Sequence, residues 1–163
     1  MATIGNHAYI LRWKLAVAAL RNGHDRLRLA HAVRHLGGAY YYAGRAKLAE
    51  HCYIEALSIY RNRDDVRPLD LANALRGYAV LKDETGESHD ARRLWQEAHR
   101  LYLSVNATAG IAESAARLAL LARRQGDLPE SREWFLTAEA AADIAADPDT
   151  VRYVRDVEAE LLR

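Results

Sequence analysis

The chain has 163 residues, enough for one domain with a substantial core and too few for two of ordinary size. Half of the residues are hydrophobic and 28% are charged, which excludes an intrinsically disordered composition. Lys and Arg number 23 against 22 Asp and Glu, a formal net charge of +1, so no global field draws the chain to nucleic acid or an anionic membrane and neither is expected as a partner.

No stretch approaches the ~20 consecutive apolar residues that span a bilayer. The N-terminal apolar run is broken by Arg12 and Lys14 and does not read as a secretory signal. Cys52 is the single cysteine, so no intrachain disulfide can form and a reducing compartment, by default the cytoplasm, is expected.

Helix is the consistent expectation along the chain, because Val, Ile and Thr never gather into alternating runs and good helix formers dominate. The first helix is expected from about Ile4 to Arg21, with Ile10, Trp13, Val17 and Leu20 on one face and Gly23 ending it in a left-handed conformation. Asp25 then caps a second helix that carries Leu29, Val33, Leu36 and Tyr40 and stops near Gly44. A third follows at once through Leu48, Ala49, Cys52, Tyr53, Ala56, Leu57 and Tyr60. So short a connection forces an antiparallel helical hairpin.

The hairpin repeats. Gly44, Gly86 and Gly126 are spaced by 42 and 40 residues. In that register Ala49, Ala91 and Ser131 form a column of small residues, Tyr53, Trp95 and Phe135 a column of rings, and Ala56, Ala98 and Ala138 a column of alanines. Small residues let the two helices of a hairpin approach, while the ring fills the gap to the next hairpin.

These residues give the chain its resemblance to the tetratricopeptide repeat (TPR) family. Leu36, Gly37 and Tyr40 match the family's L-G-x-x-Y element, and Ala49, Tyr53 and Ala56 its A-x-x-x-F-x-x-A element. Later repeats depart from it, with Tyr78, Ala79 and Lys82, then Leu118, Ala119 and Ala122, at the L-G-x-x-Y positions. The long period is similar to that of kinesin light chains and many bacterial regulators. The resemblance implies an all-α, right-handed α-α solenoid of three hairpins with an additional helix at each end. A single domain would cover residues 1–163, divided as a leading helix (1–24), repeats at 25–66, 67–107 and 108–147, and a closing helix at 148–163 that begins at Pro148.

The resemblance also implies a concave groove lined by the first helix of each hairpin, and a function in binding a peptide or helix of a partner rather than in catalysis. Carried over by position, the groove residues are His31, Arg34, His35, Tyr41 and Tyr42; then Asn73, Arg76, Val80, Asp83 and Glu84; then Glu113, Arg117, Leu120, Arg123 and Arg124. Cations outnumber carboxylates among them, so an acidic ligand is the expected preference. The two-carboxylate clamp of chaperone-binding members is not expected, because Gly38 and Gly77 replace its asparagines and Glu113 a lysine.

Two alternatives have their own residues. Terminal helices exposed at the ends of a solenoid offer self-association. His31 and His35, four residues apart on a helix, offer two ligands to a metal, although no third ligand is fixed beside them and no metal or other cofactor is expected. The adjacent carboxylates Asp64 and Asp65, and Asp83 and Glu84, read as solvated charge, Cys52 as an inert buried thiol, and the tryptophans as packing. Phosphate-binding loops, nucleophile elbows and dinucleotide fingerprints are absent, so no catalytic residue is expected.

Overall fold

The computed structural model describes residues 2–163, with side chains from His7 onward. Among the described residues the chain is eight helices in sequence: α1 (Ala2–Arg21), α2 (Arg26–Tyr42), α3 (Ala46–Arg61), α4 (Pro68–Glu84), α5 (Ser88–Ser104), α6 (Thr108–Arg124), α7 (Leu128–Ala145) and α8 (Pro148–Leu161). None is long and apolar enough to cross a membrane.

Local chemistry sets where these helices begin and end. Asp25, Asp127 and Asp147 each accept a hydrogen bond from the backbone N–H three residues on, satisfying a donor that the helix leaves open. Pro68 and Pro148 open α4 and α8, where a missing N–H costs nothing. Gly44, Gly86 and Gly126 take φ of +69°, +83° and +82° at the tight turn inside each hairpin. The residue after each of them returns its N–H to a carbonyl five residues back, from Arg45 to Tyr40, Glu87 to Lys82 and Asp127 to Ala122. Gly23 does not adopt the left-handed conformation expected of it; α1 ends in an ordinary turn in which Gly23 donates to the Leu20 carbonyl.

The helices pair as α2 with α3, α4 with α5 and α6 with α7, and the hairpins stack in chain order as a solenoid. The repeat columns form the core. Ala49, Ala91, Ala56, Ala98 and Ala138 are fully buried, Trp95 is fully buried, and Ser131 and Tyr53 are nearly so. Phe135, at the last hairpin, is only partly covered.

Helix α1 belongs to the same series, in the place of a second helix without a first. Trp13 and Ala16 stand 40 residues before Tyr53 and Ala56. Trp13 stacks on His35 of α2 with centroids 4.4 Å apart, as Tyr53 packs against Gly77 of α4. Arg21 pairs with Glu55 of α3 at 2.5 Å, as Arg61 pairs with Glu97 of α5 at 2.7 Å. At the other end α8 lies against both α6 and α7, in the place of a first helix without a second.

Candidate functional site

The hollow between α2 and α4 gathers much of the expected groove. Arg34, His35, Tyr41 and Tyr42 from α2 and Asn73, Arg76 and Val80 from α4 line a cavity of about 220 Å³, joined by Tyr9 of α1 and Tyr53 of α3. Its floor depends on glycine. The Tyr53 ring reaches between α2 and α4, and a Cβ on Gly77 would lie 2.7 Å from it. Gly77 is therefore where a ring passes. Arg76 also lines two adjoining hollows, one of about 440 Å³ with Asn73, Tyr102 and Glu113, the other of about 290 Å³ with Glu113, Asp149 and Tyr153. These three hollows are thus linked at Arg76.

Charge is distributed unevenly along it. Toward the C-terminal end the groove arginines are matched from within the groove. Arg76 Nε donates to Glu113 at 2.6 Å, while Asp83 takes Arg124 at 2.6 Å and lies 3.8 Å from Arg117, whose guanidinium also covers the Tyr153 ring. Asp83 is not solvated charge, as its sequence context suggested: its side chain is 5% exposed, because α6 brings two guanidiniums over it. Burial first, and then the hydrogen bond that its hydroxyl donates to Glu84, raise the Tyr41 pKa. No carboxylate lines the cavity between α2 and α4, which has Arg34 and Arg76 on its walls.

His31 and His35 do share a face, their ring centroids 4.5 Å apart, but a guanidinium takes a ring nitrogen of each. Arg34 Nη2 donates toward His35 Nε2 at 3.0 Å and lies 3.4 Å from His31 Nδ1. Burial first, and then Arg34, lower both imidazole pKa values, that of His35 to about 4. A shared metal would have to replace the arginine, and no group of three or more ligating side chains occurs among the described residues.

The remaining expected residues fall out differently. Leu120 is buried in the core rather than displayed in the groove. Arg123 is half-buried, lines none of these hollows, and its side chain forms no hydrogen bond or ion pair among the described residues. Cys52 is buried and its thiol is pushed up to about 11 by that burial, the opposite of an activated nucleophile. Tyr9 and Tyr53 are groove residues that the family pattern did not supply. The signal for α1 was present in the spacing of Trp13 and Ala16, which continues the repeat columns one step toward the N-terminus.

No protein-family model matches the sequence, and no curated protein matches it. Solved structures do. BtubC (BKLC) from P. vanneervenii superposes with a TM-score of 0.78 at 18% identity over 96% of this chain and 65% of its own. Aspartyl phosphate phosphatase F from Bacillus subtilis gives 0.86 at 12% identity over 96% of this chain and 41% of its own. A kinesin light chain-like protein of Podosopora anserina with nearly identical TPR-like repeats gives 0.69 at 13% identity over 97% and 89%. The chain therefore spans less than two thirds of the first two proteins, and at these identities the likeness is one of fold. The sequence columns, the stacked hairpins and these superpositions together show that the chain has the TPR-type helical-repeat fold.

Proposed function

We propose that the chain is a non-catalytic protein-interaction module that holds a peptide or helix of a partner on its concave face, with an acidic group of that partner seated between α2 and α4. The observation that carries this reading is the cavity where Arg34 stands among Tyr9, Tyr41, Tyr42 and Tyr53 with no lining carboxylate, beside Arg76, whose Nε is taken by Glu113. Arginine offers a planar fork of donors to a carboxylate, and tyrosine gives large contact area at little entropic cost, so the two together suit a short acidic segment with an apolar or aromatic neighbour. The hollows on either side of Arg76 extend the surface to the length of a peptide. The solved proteins of similar fold include one with nearly identical TPR-like repeats, which agrees with an interaction role.

The test is capture of partners from the source cell by the intact chain and by the double charge reversal Arg34→Glu and Arg76→Glu. Partners should be lost with the reversal while far-UV circular dichroism stays unchanged. Undiminished capture would remove the groove from the account.

A further inference from the structure

Among the described residues no carboxylate pairs with Arg34, on the wall of the cavity between α2 and α4. Its Nη2 donates instead to two imidazoles of the same helix, at 3.0 Å to His35 Nε2 and 3.4 Å to His31 Nδ1, and its Nε is buried and unpartnered. A guanidinium has donors only, so the His35 nitrogen that meets it must present a lone pair. Protonating that nitrogen sets donor against donor and cation against cation. In the free protein the Arg34 contact and a proton on His35 Nε2 therefore exclude each other. The surroundings do not relieve the conflict. Besides Arg34 and His31 on α2 itself, α1 brings Arg12, Tyr9 and the Trp13 ring stacked on His35, α3 brings Tyr53 and Tyr60, and α4 brings Asn73, Arg76 and Asp70. Asp70 is the carboxylate of this set; it bears on His31 and is itself paired with Arg67.

We propose, resting on the reading that an acidic group of a partner sits in this cavity, that the anion and a proton on His35 bind cooperatively, so that capture tightens as pH falls. The oxygens of a carboxylate or sulfonate only accept. Arg34 and a protonated His35, which share the cavity wall, can then donate to one group, and its negative charge offsets the repulsion between them. A proton is taken up as the anion arrives. The sign follows from linkage: a group whose pKa is higher in the complex than in the free protein leaves affinity flat above the complex's pKa. Affinity then rises as pH falls toward the free protein's pKa, which for His35 is about 4. Contact with an opposite charge raises an imidazole by about one unit or more. For one unit, affinity should rise about threefold between pH 7 and pH 4.5.

The probe is an end-capped hexapeptide of alternating cysteic acid and tyrosine, whose sulfonates stay ionised over this range, so that any pH dependence belongs to the protein. Calorimetric titration of the full chain at pH 7, 6, 5 and 4.5, with circular dichroism confirming the helical state at each, gives the affinities. The ring proton of His35, followed by NMR with and without saturating peptide, gives its pKa in each state. Affinity should rise about threefold over the range, and the His35 pKa should be higher in the complex. His35→Phe, which keeps a ring beneath Trp13, should lose most of this pH dependence, whereas a general gain of positive charge would tighten the variant and the parent chain alike. Binding that Arg34→Glu abolishes, yet that is equal at pH 7 and pH 4.5, leaves the groove reading in place and overturns the proton linkage. So does an unchanged His35 pKa, or a pH dependence that persists in His35→Phe. A peptide that binds at no pH, or that binds Arg34→Glu undiminished, overturns the groove reading and the linkage together.

Discussion

At Gly77 an added Cβ would lie 2.7 Å from Cε1 of Tyr53, whereas at Gly38 the nearest atom, the hydroxyl of the same tyrosine, is 3.8 Å away. The two glycines are equivalent by family pattern and opposite by packing. Gly77→Ala must displace a buried ring, and overpacking of this kind costs about 1–3 kcal/mol. Gly38→Ala meets only ordinary contact and gains the helix preference of alanine, so it should be neutral or stabilising by about 0.5–1 kcal/mol. Urea denaturation of the two variants checks both signs. Sequence alone could not separate them, because the ring that does so lies on another helix, 15 residues after Gly38 and 24 before Gly77. Asp83 teaches the same point, since its solvated reading changed only when α6 placed Arg117 and Arg124 over it.

At the scale of elements, the seam between α1 and α2 rests on the Trp13 ring lying flat on His35, 8° from parallel. The fold holds His35 neutral down to about 4, against its ordinary 6.5, chiefly by burial and then through Arg34, His31 and Arg12. In that window the unfolded chain binds more protons than the folded one, so stability is complete above pH 6.5 and declines as pH falls toward about 4. His35→Phe keeps a ring for Trp13 to stack on and cannot be protonated. Its thermal midpoint should therefore fall less between pH 7 and pH 5 than that of the parent chain. Some fall remains, because burial also lowers His31 and His99. Much at this scale was legible beforehand: the turn glycines, the Asp25 cap and the three columns are local or periodic signals. The place of α1 in the series was also written in the spacing of Trp13 and Ala16, but Tyr9, standing where the other second helices carry a small residue, obscured the register.

Over the whole molecule a net charge of +1 conceals an ordered distribution. Toward the C-terminal end Asp83 and Glu113 answer arginines of the facing helix, Arg76 among them, while the hollow between α2 and α4 presents Arg34 and a group of tyrosines. The family pattern placed fifteen side chains on one side of the first helices, but Leu120 among them is buried and Arg123 lines none of the hollows. It could not say which carboxylate would reach which guanidinium, since that depends on how far one hairpin is rotated on the next. The most direct test of recognition at this hollow is site-specific photo-cross-linking, with p-benzoylphenylalanine at Val80, which lines it, or at Arg100 of α5, which does not. The account predicts that captured partners cross-link from position 80 and not from position 100. Cross-linking from position 100 alone would contradict it.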